Sequence, residues 1–294
     1  MKSLLLTGAT GFLGSALARN WVRAGYQVSV LVRPASNRRR IEDLADALQF
    51  YSCSKDEDVF SAIKKAAPDC IVHTACCYGR AGETLVDIFD ANVRLGLLLL
   101  EGARLLDKPV AFVNTGSILD PAVSSYAMSK QSFSALGALQ AGQGERRIKF
   151  INVAMQHMYG PGDDKSKFTT NVISSCLANV ERLSLTSGVQ KRDFVFIDDV
   201  VSAYDTIISN MTSLGDVENI DVGSGEAVSV RSFVELAQAL TGSRTLLEFG
   251  AVPYRLNEAM LFQADINRMR SLGWAPATSL EMGIRKTIDK DDAE

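Results

Sequence analysis

The chain has 294 residues, 47% hydrophobic and 22% charged, an ordinary globular balance with length for one large domain or two. A formal net charge of −3 argues against a nucleic-acid or anionic-membrane partner, and no apolar run approaches the roughly 20 residues that span a bilayer. Five cysteines (Cys53, Cys70, Cys76, Cys77, Cys176) without CxxC spacing fit a reducing, cytoplasmic setting, and two histidines, His73 and His157, argue against a His-rich zinc site, so no metal is expected.

The opening MKSLLLTGATGFLG breaks at glycines after a short apolar run and reads as a first strand rather than a signal peptide. Strands are expected at Ser3–Thr7, Gln27–Val32, 48–51, Cys70–His73, 110–114 and 149–153, with helical patterns at 15–24, Asp56–Ala66 and 85–106 between them. Such alternation implies right-handed βαβ crossovers and a parallel sheet covered on both faces, an α/β, Rossmann-type doubly wound fold. Beyond Met155 the order is less regular, with helical patterns at 168–179, 200–210, 230–240 and 280–290. Residues 1–155 are therefore expected to form the dinucleotide-binding domain, with some later segments returning to it. Residues 156–294 form mainly a smaller C-terminal substrate-binding lobe.

Gly8, Gly11 and Gly14 lie in TGATGFLG, between a strand and an amphipathic helix. Glycines there permit a tight turn and close approach of backbone to a pyrophosphate, which the helix N-terminus attracts. The second strand ends Val32-Arg33, with Arg38, Arg39 and Arg40 just beyond. An acid at its end would accept from the ribose 2′-hydroxyl of NAD, whereas guanidinium groups pair with a 2′-phosphate. NADP(H) is thus favoured over NAD(H), with Arg33 the best candidate; the arginine run otherwise reads as solvated surface.

Tyr126 and Lys130 stand four apart in SSYAMSK where a helix should begin, which puts phenol and ammonium on one face. A nearby cation is expected to lower the tyrosine pKa and suit it to proton exchange with a carbonyl or alkoxide.

With these motifs in this order the chain resembles, over nearly its whole length, the extended short-chain dehydrogenase/reductase family, the NAD-dependent epimerases and dehydratases. The resemblance implies that Thr115 in FVNTGSIL hydrogen-bonds the reacting oxygen, that Ser117 lines the pocket, and that Lys130 also holds the nicotinamide ribose. It marks VHTA as the loop flanking the cofactor, Asn92 as the family's helix asparagine, and MYGPGD as the segment after the sixth strand. His73 reads as a packed structural residue. The implied cofactor set is Gly8, Thr10, Gly11, Phe12, Leu13, Gly14, Arg33, Ala75, Asn92, Tyr126, Lys130 and Met155.

KRDFVFIDDV and PYRLNEAM resemble the family's nucleotide-sugar clamp, with Arg192 and Arg255 on phosphate and Glu258 on the nucleotide ribose; His157 and Lys167 complete the substrate contacts. Surface salt bridges are the competing reading of these charges. The family's dehydratases carry Asp-Glu after the catalytic Thr, but here Gly116-Ser117 follow, which counts against dehydration. The missing acidic ribose reader counts against a retained NAD and so against epimerisation.

Within the family the chain resembles reductases of CDP-linked 4-keto-3,6-dideoxy sugars. Such an enzyme would make the 4-hydroxy sugar by a Thr-Tyr-Lys mechanism, for O-antigen or another surface glycan. Two departures lie near the sugar side: a short stretch between Thr115 and Tyr126, and Ala154 where many relatives have Arg. The alternatives are an NAD-dependent nucleotide-sugar 4-epimerase and a non-catalytic dinucleotide-binding regulator, which typically loses the Tyr or Lys kept here. A homodimer is expected through helices 85–106 and 126–142, using the run of leucines with Phe133, Leu136 and Leu139, although the same residues would equally suit a one-sided core.

Overall fold

The protein is described as a computed structural model covering residues 3–141, 148–255 and 258–291. Gly142, the expected end of the helix from Tyr126, and the Leu256-Asn257 pair of PYRLNEAM lie outside the described residues. The chain divides into two compact units: one runs to Ala154 and takes in Tyr204–Ile220, the other comprises Met155–Ala203 and the stretch from Asp221 on.

The first unit is built on short, nearly continuous apolar strands, as a sheet covered on both faces requires. β1 (Ser3–Thr7), β2 (Gln27–Val32), β3 (Leu48–Ser52), β4 (Cys70–His73), β5 (Ala111–Thr115), β6 (Lys149–Met155) and β10 (Val217–Val222) form one seven-stranded sheet in the order β10-β6-β5-β4-β1-β2-β3. The five pairings from β3 across to β6 are all parallel. Alternation along β1 assigns the layers. Leu5 joins Ile71, Phe112 and Phe150 in a core closed by α2 (Asp56–Ala66), α4 (Leu95–Arg104) and α5 (Ser125–Ala141). Leu4 and Leu6 face the other way and are equally buried, on the side of α1 (Phe12–Arg23) and the second half of α7 (Ile197–Ser209). There Asp205 of α7 accepts from Asn20 Nδ2 (2.6 Å) and Trp21 Nε1 (2.7 Å) of α1.

The helical pattern at 85–106 forms one continuous helical run to Arg104, in which a π-helical turn at Asp90–Arg94 joins α3 (Leu85–Phe89) to α4, and the expected dimer face holds only in part. Phe133, Leu99 and Leu100, expected at a dimer face, are core residues with at most 2% exposure, whereas Leu136 and Leu139 are exposed.

The second unit has many short elements that periodicity did not mark. β9 (Lys191–Phe196) pairs parallel with β7 (His157–Tyr159) and antiparallel with β11 (Ala227–Ser229), while β8 (Arg182–Leu185) pairs parallel with β12 (Leu246–Phe249). Phe233 of α8 (Val230–Thr241) centres its core, with ring centroids of Phe194 at 4.5 Å, Phe168 at 6.0 Å and Tyr159 at 6.1 Å. α6 (Phe168–Leu177) and α10 (Leu280–Asp291) pack with α8, and the short α9 (Asn267–Ser271) precedes α10.

Two buried carboxylates tie down its loops. Asp199 accepts from Ala277 N (2.9 Å) and Thr278 N (3.0 Å). Asp193, fully buried, accepts from Ser224 N (2.6 Å), Ser224 Oγ (2.7 Å), Gly225 N (2.9 Å) and Ala264 N (3.1 Å). Removing one acceptor that serves several buried donors costs the desolvation of each. Asp193→Ala is therefore expected to lower stability by about 3 kcal/mol or more, read as a large fall in thermal midpoint. A midpoint within a degree or two of wild type would contradict this role.

Candidate active site

β1 delivers the chain into a turn that only glycine tolerates. Gly8 has φ +73°, and a Cβ there would lie 2.6 Å from Ala75 N and 2.7 Å from Thr74 Oγ1. A Cβ on Gly14 would lie 2.1 Å from Gly8 O, so α1 seats directly on the end of β1. α1 begins at Phe12, three residues before the expected start, and its N-cap is Gly11, with no capping side chain and no acid in the first turn. That terminus keeps its positive end unneutralised, and the residues fit a dinucleotide pyrophosphate. Thr10 and Phe12 are half-buried beside it, and Leu13 is buried. Thr7 ties this turn to the next strand: Thr7 O accepts from Thr74 Oγ1 (2.8 Å), and Thr7 Oγ1 accepts from Ala75 N (3.3 Å).

Arg33 stands exposed directly after β2, with no acid beside it at that strand end. Of the arginine run, Arg38 lies 4.8 Å over the Phe50 ring, while Arg39 and Arg40 enter a short 3-10 helix, Arg39–Leu44, and are exposed.

Thr115 closes β5, and Tyr126 and Lys130 sit on the first turns of α5. Lys130 is only 2% exposed, and burial pulls its ammonium below the usual lysine range, with Cys76 opposing. The Tyr126 phenol is pushed up by its burial, with Cys76 adding to this and the Tyr78 hydrogen bond and Arg80 opposing. The downward shift expected from Lys130 is not found: the burial that disfavours the phenolate dominates, and the opposing influences come from Tyr78 and Arg80. Burial therefore favours the neutral form of the Tyr126 phenol.

Tyr78 stacks on Tyr126 with centroids 4.7 Å apart, and Arg80 lies 5.1 Å over the Tyr78 ring. The sequence reading passed over both, and also Tyr204, whose Oη lies 2.6 Å from Thr115 Oγ1. The available signal was a phenol inside the apolar stripe of α7, since a buried tyrosine needs a partner for its hydroxyl. Ser117 is half-buried, and its Oγ accepts from Leu119 N (3.2 Å).

Asn92 occupies the π-helical turn, fully buried. Its Oδ1 accepts from Cys77 N (2.7 Å), and its Nδ2 donates to Cys77 O and to Ser129 Oγ, both at 2.8 Å. Both amide hydrogens are spent, so Asn92 holds the loop after β4 against α5. His73 is a packed residue: fully buried, bonded to Thr7 Oγ1 (2.7 Å), edge-on to Phe133, and held down to about 3 by burial and by the Lys130 charge.

In the second unit Arg192 and Glu258 meet as an ion pair rather than standing apart. Arg192 also donates to Lys191 O (2.7 Å) and lies 4.8 Å over the Phe262 ring; burial lowers its pKa, with Glu258 opposing. His157 packs between Phe194 (5.9 Å) and Phe262 (6.3 Å), and burial, then Arg192, pulls it down to about 4. Among the described residues its Nδ1 has no hydrogen-bond partner. Arg255 is exposed, with its backbone O accepting from Glu258 N (3.2 Å), Lys167 bonds the buried Asp163 (2.9 Å), and Met155 is buried at the end of β6.

The family model "NAD dependent epimerase/dehydratase family" matches residues 4–223. CDP-abequose synthase of Salmonella muenchen is 31% identical, with 98% of this chain and 97% of the relative covered. CDP-abequose synthase of Salmonella typhimurium is 29% identical over the same shares. Among solved structures, the UDP-glucose 4-epimerase of Thermotoga maritima with UDP-glucose superposes with TM-score 0.84 at 23% identity, covering 99% of this chain and 98% of that one.

The Asn92 bonds generate a test. Asn92→Ala removes three hydrogen bonds, to the half-buried Cys77 backbone and to the buried Ser129, and is expected to cost about 2–3 kcal/mol. Hydrogen exchange at the Cys77 amide should accelerate while β1 stays protected. Exchange at the wild-type rate would show that the loop is held by something else.

Proposed function

The chain belongs to the NAD-dependent epimerase/dehydratase family and is an NAD(P)-dependent oxidoreductase-type enzyme of the extended short-chain dehydrogenase/reductase type; from that premise we propose that it reduces a nucleotide-linked 4-keto-deoxy sugar, a CDP-4-keto-3,6-dideoxyhexose, with NADPH. The observation that carries the proposal is a phenol held neutral by burial at Tyr126, four residues before the buried Lys130 on α5, with Gly116-Ser117 after Thr115 where a dehydratase would have an acid pair. The two relatives named CDP-abequose synthase support the CDP-deoxysugar class.

The residues that would hold the cofactor are the Gly8–Gly14 turn with Thr10, Phe12 and Leu13, then Ala75, Met155, Tyr126 and Lys130. Arg33 would pair with the 2′-phosphate. The bound nicotinamide supplies the hydride. Tyr126 donates its proton to the carbonyl oxygen as charge develops, and Thr115 hydrogen-bonds that oxygen. Lys130 orients the ribose. Arg192, with Glu258 beside it, and Arg255 supply guanidinium groups suited to a diphosphate. His157 offers an unspent ring nitrogen to the sugar.

A homodimer through exposed Leu85, Val86, Leu136 and Leu139 belongs to the same proposal, as does a cytoplasmic place in surface-glycan synthesis. Among the described residues no helix is long and apolar enough to cross a membrane.

With CDP-4-keto-3,6-dideoxyglucose, wild type is expected to oxidise NADPH, and Tyr126→Phe to lower kcat by about a thousandfold. NADPH left unoxidised, with NAD released on denaturation, would instead indicate the epimerase. Arg33→Ala should raise KM for NADPH about tenfold and leave KM for NADH unchanged; an equal change for both would remove Arg33 as the phosphate reader. The pH profile follows from the raised phenol. The acid form is fully present below the usual value near 10 and is lost only as pH rises through the raised one. Reduction should therefore stay flat from about pH 6 to 9 while the reverse oxidation, which needs phenolate, climbs. A reduction rate falling across that window would contradict it.

A further inference from the structure

Tyr204 is the largest polar side chain near Thr115 that the reaction as described leaves without work. It is fully buried on α7, and its Oη lies 2.6 Å from Thr115 Oγ1. Among the described residues neither hydroxyl has another hydrogen-bond partner. Each carries one hydrogen, so the pair has two possible polarities.

If Thr115 donated, the Tyr204 proton would be sealed in the interior with no acceptor, at the full cost of desolvating it. If Tyr204 donates, the Thr115 proton turns to the half-buried side of its own residue, where water or a substrate oxygen accepts it. Acidity points the same way, since a phenol is the stronger donor and an alkyl hydroxyl the stronger acceptor. Neither side chain can readily swing out of this arrangement. Thr115 is β-branched and stiff at χ1. Tyr204 is enclosed, and the next residue, Asp205, is bonded to Asn20 and Trp21 of α1.

We propose that Tyr204 is a positioning residue, whose buried hydroxyl donates to Thr115 Oγ1 and so aims the Thr115 proton at the reacting oxygen. This rests on the reading of Thr115 as the group that bonds that oxygen. The chain Tyr204 O–H to Thr115 O–H to substrate oxygen is polarised along its length, and each donor strengthens the next as negative charge develops.

The test is a double-mutant cycle on NADPH oxidation with CDP-4-keto-3,6-dideoxyglucose, using wild type, Thr115→Val, Tyr204→Phe and the double variant. Tyr204→Phe is expected to lower kcat about tenfold with KM within about twofold. The double variant should be no slower than Thr115→Val alone, because Tyr204 then has nothing to aim. Asn20→Ala loosens the α7 anchor and leaves the hydroxyl pair intact; it should lower the thermal midpoint and keep kcat within about twofold.

The outcomes separate the two ideas. Full kcat in Thr115→Val would overturn the role of Thr115, and this inference with it. A large loss in Thr115→Val beside full kcat in Tyr204→Phe would overturn the Tyr204 inference alone. So would independent, multiplying losses in the double variant, or a loss in Asn20→Ala equal to that in Tyr204→Phe.

Discussion

Closest approach of two backbones governs the rest of the first unit. Gly14 lets α1 come down onto Gly8 O, where a Cβ would sit at 2.1 Å, and Gly8 in turn lets the Thr74-Ala75 loop lie against the turn. With α1 seated there, its uncapped N-terminus stands over the end of β1. Asn20 and Trp21 are placed to bind Asp205, which fixes α7. A side chain at either glycine would lift the helix, and the phosphate turn and the α7 anchor would move together.

Burial then decides the chemistry. Lys130 is buried and Tyr126 half-buried, and desolvation pushes each toward its neutral form, so the phenol stays protonated. A protonated phenol suits the reducing direction, in which an oxygen gains a proton, better than a base-first reaction. The same burial favours partners for the polar groups nearby. Asn92 spends its amide on Cys77 and Ser129, and Tyr204 spends its hydroxyl on Thr115.

The sheet was legible because a doubly covered strand is apolar throughout: β1, β2 and β4 have the expected bounds. The start of α1 was not, because glycines disguise its first turn. The π-helical turn at Asp90–Arg94 leaves no trace in periodicity; a buried asparagine there, bonded to the Cys77 backbone and to Ser129, is visible only once the loop and α5 are in place. The small strands of the second unit, several only three or four residues long, carry too little pattern to be seen. At the site, local spacing showed Tyr126 with Lys130, four apart on one helix. Thr115 with Tyr204 and Arg192 with Glu258 are separated by 89 and 66 residues, so the fold alone brings them together. The downward shift expected of Tyr126 failed because sequence shows which charges are near but not how dry they are.

The most direct measurement follows the hydride itself. NADPH carrying deuterium at the transferable position is given to the protein with the CDP-4-keto sugar, and the sugar product is weighed by mass spectrometry. One deuterium per product, with one cofactor oxidised for each, is the result predicted for a ketoreductase. Product without label, formed while the added NADPH stays reduced, would contradict it.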